Sequence, residues 1–376
     1  MKLKLNGKSL NMEKTKIVVS IIISFCLLSC NKDSNPESFQ DIQEITSVSP
    51  YQDIRWKDLQ KIESQLDSSI IKTFWFNEKT VWPEKYLAYS KSLIIKGKNP
   101  GLGIRQLHQQ GITGKGVAIA IIDQNICLDH PEFANKIVEY HDVGCNTPSN
   151  QSSMHGPAVA SLLVGDSIGT APDAKLYFVA APSWTQDAKY QADALNWIIA
   201  KNSSLPDNAK IRAVSISAAP SGPGTPFTMN NADWDSAYVH AVNAGILIID
   251  CTQNHGITAP CYYDIDDPDN VGACTPGWPG LVFTNDANRI CIPTSLRTTA
   301  EEYDEGNFSY QFTGRGGLSW AEPYLVGVIA LGWQVRPDIS GDEMILLIRK
   351  SAYLTNSGAL IIQPKAFIDS VKAFRN

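Results

Sequence analysis

The chain has 376 residues, 43% of them hydrophobic, and a formal net charge of −6. That length and apolar content allow a large buried core in one or two domains. The mild acidity, without any basic block, excludes the electrostatic footprint of a nucleic-acid binder.

Lys2, Lys4, Lys8, Lys14 and Lys16 precede the apolar run Ile17 to Leu28. The run is too short to cross a bilayer comfortably and reads as the apolar region of a signal peptide, so residues 1–29 are expected to direct export and be removed. Met12 opens a conventional signal by itself. The run ends in Leu27-Leu28-Ser29-Cys30, which resembles the lipobox of bacterial lipoproteins. The resemblance implies that Cys30 carries lipid and anchors the protein to a membrane, on its periplasmic or cell-surface side. Ordinary cleavage near Ser29 and a soluble mature chain is the alternative. Outside the cytoplasm, the six remaining cysteines, Cys127, Cys145, Cys251, Cys261, Cys274 and Cys291, form an even set that allows up to three disulfides. Cys261 and Cys274 are one pair that would close a short loop. No CxxC spacing suggests zinc.

Residues 30–50 are rich in Ser, Asn, Pro and Asp and read as a tether between lipid and fold. Ile54, Leu59, Ile62, Leu66 and Ile70 fall at roughly helical spacing and predict an amphipathic helix. The cluster Phe74, Trp75, Phe76 and Trp82 is more apolar than a solvated linker, so residues 51–100 are expected to pack on the main domain as an N-terminal extension. A removable propeptide is the alternative.

From residue 101 the texture changes. Gly114 to Asp123, Ala174 to Ala181, Ile211 to Ala219, Gly245 to Cys251 and Gly280 to Ala287 are apolar runs of the kind that form buried parallel strands. Helical patterns separate them: Gly156 to Gly165, Gln191 to Ala200 and Asn231 to Ala244. Such alternation predicts an α/β domain over residues 101–376, with three α/β/α layers and a mostly parallel central sheet. Functional groups gather at the carboxyl ends of the strands in sheets of this kind.

Near the end lies Gly316-Gly317-Leu318-Ser319-Trp320-Ala321-Glu322-Pro323, followed by residues apolar on every side as far as Trp333. A helix apolar all round must be buried. Ser319 then stands at its N-terminal end, where unpaired N–H groups and the helix dipole stabilise a developing anion. A serine N-cap on a core helix is the simpler reading of this stretch alone. Asp123 at a strand end, His155 at a helix start and Asn254 in a loop are each equally ordinary in isolation.

Together they resemble the subtilisin-like serine proteases. The resemblance rests on Val117 to Asp123 followed by Leu128-Asp129-His130-Pro131, on His155-Gly156 opening a Val- and Ala-rich helix, on the segment Gly317 to Gly327, and on the order Asp, His, Ser. It implies a subtilisin-like fold and a serine endopeptidase, with nucleophilic attack by Ser319, His155 as general base and Asp123 orienting it. Asn254 would be an oxyanion donor. Ser217, Ala218 and Ala219 would form a peptide-pairing edge, and Cys251, Thr252 and Gln253 the other wall of the substrate pocket. The partner is then a peptide or protein substrate and the chain a monomer that needs no cofactor. Asp264, Asp266, Asp267 and Asp269 are candidate Ca²⁺ ligands, with a solvated acidic loop as the plainer reading. Gln253 and Glu322 depart from the family pattern, and a carboxylate aimed at the cleft would oppose an oxyanion. They favour the alternative of a catalytically silent relative that binds peptides or a partner at the same cleft. The absence of G-x-S-x-G argues against an esterase.

Overall fold

The computed structural model describes residues 41–375 apart from 149, 221, 223 and 224. The signal segment, Cys30 and residues 31–40 lie outside the described residues.

Ten strands are labelled here: β1 Trp75–Asn77, β2 Ala118–Asp123, β3 Ile137–Asp142, β4 Lys175–Ala180, β5 Ile211–Ile216, β6 Leu247–Asp250, β7 Thr258–Tyr262, β8 Ile290–Pro293, β9 Arg297–Glu301 and β10 Ser309–Thr313. The principal helices are α1 Glu84–Gly97, α2 His155–Val164, α3 Lys189–Ser204, α4 Asn231–Asn243, α5 Ala321–Val335, α6 Gly341–Ser351 and α7 Pro364–Ala373.

The central sheet has the order β3-β4-β2-β5-β6, with every neighbouring pair parallel. β2 shows how it forms three layers. Side chains alternate across a strand, so Ile119 and Ile121 enter one core with α2 and α5, while Ala118, Ala120 and Ile122 enter another with α3 and α4. Both faces of the sheet are therefore covered by helices. Among the described residues three further sheets accompany it: a five-stranded one built on the parallel pair β7 and β8, a three-stranded one of β9, β10 and β1, and a two-stranded one pairing Gln43–Glu44 with Lys57–Asp58.

The helix apolar on every side is α5. All of its residues from Ala321 to Trp333 are buried, as its composition requires. Strands form in four of the five expected runs. The fifth, Gly280 to Ala287, is irregular and Val282 is exposed. Gly280 has a positive φ of 75°, and Asn285 and Asp286 are turn residues, so only three consecutive apolar side chains remain for a strand. The buried strand begins later, at Ile290. β3, which borders the sheet, is only partly buried and lacked the apolar run that marked the others.

The expected helix over residues 54–70 is also corrected. Those apolar residues are largely buried, but they sit on a kinked 3₁₀ segment, Gln60–Gln65, and a one-turn helix, Ser68–Ile71. Asp67 breaks the run by accepting hydrogen bonds from the Ser69 and Ile70 N–H groups, which makes it a cap rather than a helix interior. The long helix of this region is α1. β1 adds to β10 as a third antiparallel strand, with Phe76 opposite Phe312.

The six cysteines among the described residues are free, which corrects the disulfide expectation. Cys145, Cys261, Cys274 and Cys291 pack in the main core as small apolar side chains. Cys261 and Cys274 are neighbours that interact as thiols.

Candidate active site

Asp123 is the last residue of β2, at the carboxyl end of the middle strand of the sheet. Its Oδ1 lies 2.6 Å from His155 Nδ1 and also accepts a hydrogen bond of 2.8 Å from the Gln124 N–H. Both side chains are buried. His155 opens α2, and Gly156 explains how it comes so near. A Cβ there would lie 2.4 Å from the Gln124 carbonyl oxygen and 2.8 Å from that of Asn125. Only glycine lets the start of α2 press on the loop that follows Asp123.

Ser319 is in a single 3₁₀ turn, Leu318–Trp320, immediately before α5. Thus it stands just ahead of the buried helix, on a half-buried turn. Gly316, at φ 68°, makes the approach to this turn possible, since a Cβ would fall 1.7 Å from the Thr294 carbonyl oxygen. The neighbouring Trp320 brings the turn to the histidine: its ring and that of His155 have centroids 5.5 Å apart at 35°. The Ser319 carbonyl accepts a 3.0 Å hydrogen bond from Ser217 Oγ, which ties the turn to the end of β5.

Ser217, Ala218 and Ala219 follow β5 in a bend. The Ser217 carbonyl accepts a hydrogen bond from Cys251 Sγ at 3.0 Å, so the two expected walls of the cleft touch each other here. Gln253 and Asn254 are exposed on the loop after β6. A Cβ on Gly222 would lie 3.2 Å from Asn254 Nδ2, which places that amide beside the loop following β5.

The loop carrying Asn254 is heavily tied. Thr252 donates from its N–H and Oγ1 to Asp250 Oδ1, at 2.9 and 2.6 Å, and its Oγ1 accepts from the His255 N–H. His255 stacks on Tyr238 with centroids 4.3 Å apart, and the Asp250 carboxylate raises its pKa. Arg289 donates to the carbonyls of both Thr252 and Thr258, at 3.0 and 2.9 Å, and so bridges the two ends of the loop. Sequence reasoning missed Asp250, Thr252 in this role and Arg289. Arg289 lies in the turn between the run misread as a strand and β8, and no motif marks it.

Glu322 is completely buried and points at β7, where its Oε1 accepts a 2.7 Å hydrogen bond from Thr258 Oγ1. Burial pushes its pKa up to about 8, partly offset by the Thr258 hydrogen bond. At neutral pH it is therefore mostly an uncharged acid. The acidic loop after β7 does not converge on a cation: Asp266 pairs with Lys96, Asp269 accepts from the Gly103 N–H, Asp264 from the Asp266 N–H and Asp267 from Asn270.

A profile described as "Subtilase family" matches residues 114–365, about two-thirds of the chain. This chain belongs to the subtilase family. Among similar proteins is Subtilisin-like protease PopC of Myxococcus xanthus, 23% identical over 278 residues, covering 66% of this subtilase and 58% of that relative. Subtilisin-like protease 2 of Trichophyton verrucosum is 23% identical over 272 residues, covering 67% and 62%. The chain thus spans about three-fifths of the length of these relatives. Two solved structures share the fold. Fervidolysin from Fervidobacterium pennivorans, a keratinolytic enzyme related to subtilisin, matches with TM-score 0.53 and 14% identity, over 71% of this subtilase and 44% of that chain. The prenylagaramide maturation protease PagA matches with TM-score 0.51 and 15% identity, over 73% and 99%.

Proposed function

We propose that this subtilase is a serine endopeptidase. Ser319 attacks the peptide carbonyl, His155 takes its proton and returns it to the leaving amine, and Asp123 holds the imidazole and stabilises the imidazolium. The Ser319 N–H and the Asn254 amide stabilise the oxyanion. One observation carries the reading: residues 32 positions apart meet as Asp123 Oδ1 and His155 Nδ1 at 2.6 Å, beside the turn that bears Ser319. The chemistry requires no cofactor. The two residues that pointed to a silent relative give it no support, since Glu322 is buried against Thr258 and Gln253 is exposed on a loop.

The substrate is a peptide or protein, and the enzyme acts outside the cytoplasm, held to a membrane through lipid on Cys30. Among the described residues no helix is long and apolar enough to cross a membrane. Labelling with a palmitate analogue tests the anchor, and label that survives Cys30→Ala would refute it.

Hydrolysis of an unfolded protein substrate tests the activity. Ser319→Ala and His155→Ala are each expected to lower kcat roughly 10⁶-fold, and the double variant little more. Full activity in either single variant would rule out this triad.

A further inference from the structure

Apart from the active site, one cluster stands out. Cys127, Asp129 and Glu302 each offer a ligand atom, and these atoms all lie within 4.8 Å of one another. Cys127 and Asp129 are on the loop between β2 and β3, and Glu302 immediately follows β9. Glu302 is completely buried against Asp129 and the Gly306 N–H, and neither of its carboxylate oxygens makes a hydrogen bond of good geometry. Asp129 Oδ2 accepts a 2.9 Å hydrogen bond from the Gly306 N–H, while its Oδ1 is buried without a partner. Three carboxylate oxygens without a well-placed donor therefore gather around a buried thiol, an arrangement that a bound cation would satisfy.

The charges around the cluster deepen the imbalance. Asp129, Asp304 and Glu305 act on Cys127, and Asp129 and Glu305 act on Glu302, all in the direction that opposes further negative charge.

We propose that Cys127, Asp129 and Glu302 form a structural binding site for a divalent transition cation of the zinc type. A sulfur ligand with two carboxylates suits a borderline-soft cation; Ca²⁺ and Mg²⁺ instead call for sets of oxygen ligands. Ligands about 2.0–2.3 Å from a tetrahedral zinc stand about 3.3–3.8 Å from each other, so small side-chain adjustments bring the three into range. A water completes the coordination. Binding releases the thiol proton and any carboxyl proton to solvent, leaving a thiolate and two carboxylates on the cation.

The position gives the site a role. Tyr303 accepts a hydrogen bond from the Ser152 N–H at 2.8 Å, and Gln151 bridges Asp304. A cation here ties together the loop after Asp123, the turn between β9 and β10, and the segment that leads into His155. The inference does not depend on peptidase activity.

Metal uptake by the detergent-solubilised full chain carrying Ser319→Ala tests it. After chelation and desalting, one Zn²⁺ per chain is expected to bind and to raise the melting temperature by several degrees at about 100-fold excess over Kd. Co²⁺ in its place is expected to give a thiolate-to-metal charge-transfer band. Cys127→Ser should abolish that band. Glu302→Gln, an isosteric change that relieves the buried charge and should fold, is expected to weaken Zn²⁺ binding at least about 100-fold. No uptake by the folded parent, Co²⁺ uptake without the band, or binding unchanged in both variants would overturn the proposal. Stabilisation by Ca²⁺ but not by Zn²⁺ would overturn it as well.

Discussion

Glu322 shows how a residue three positions after the serine is kept from harming the site. Its place on α5 turns it into the core, against Thr258, where burial keeps it protonated. This has a consequence for stability. The folded chain holds the proton up to about pH 8, whereas the unfolded chain releases it near the ordinary glutamate value of 4.5. Between those values the unfolded state binds fewer protons, so stability falls as pH rises, by up to about 5 kcal/mol, and is flat above the folded pKa. Glu322→Gln keeps the Thr258 hydrogen bond and removes the titration. Thermal melts in a Ser319→Ala background are expected to show the glutamine variant gaining on its parent from pH 5 to 8; a constant difference across that range would contradict the assignment. Sequence spacing showed that Glu322 and Ser319 are close on the helix, but the direction of the side chain depends on β7, which the apolar runs did not reveal.

At the scale of elements, the site is two strand ends and two helix starts brought together by glycines. The meeting of Asp123 and His155 could be expected because each sits in its own local motif, and Gly156 explains why the His-Gly pair is needed: the helix start contacts backbone with no space for a Cβ. The support of the Asn254 loop was not legible. Arg289 reaches it from a distant segment, and only the pairing of β7 with β8 brings that segment alongside. We expect Arg289→Met to lower kcat about 10-fold with little change in KM, by freeing the Thr252 carbonyl and loosening the loop. Asn254→Ala should cost about 10²- to 10³-fold. The double variant should lose less than the product of the two, because both act through one loop. Multiplicative losses in steady-state kinetics would mean that Arg289 acts elsewhere.

For the whole molecule, the N-terminal extension is part of the packed structure. Arg55 is buried, donates to Asp53 and to the Tyr303 hydroxyl at 2.8 Å, and lies 3.6 Å from Glu301, which is itself completely buried. Glu301 also accepts from Asn77 on β1. Losing the extension would leave that carboxylate without either partner, which argues against a propeptide that is simply released. Arg55→Ala is expected to destabilise the chain by about 3–5 kcal/mol in urea unfolding, as breaking a buried pair does. A loss under about 1 kcal/mol would show that the extension is only loosely held. The three-layer plan was legible from alternating apolar runs and helical patterns. The aromatic cluster at Phe74–Trp82 signalled that the extension packs, but not its local form, which depends on long-range pairing with β10 and on Asp67 capping, neither of which follows from helical spacing.

Mapping the residue modified by a fluorophosphonate probe tests the central claim most directly. The folded wild-type chain is expected to take one label, on Ser319, and Ser319→Ala none. A folded wild-type chain that resists the probe, or a label that persists in Ser319→Ala, would contradict the assignment of Ser319 as the nucleophile.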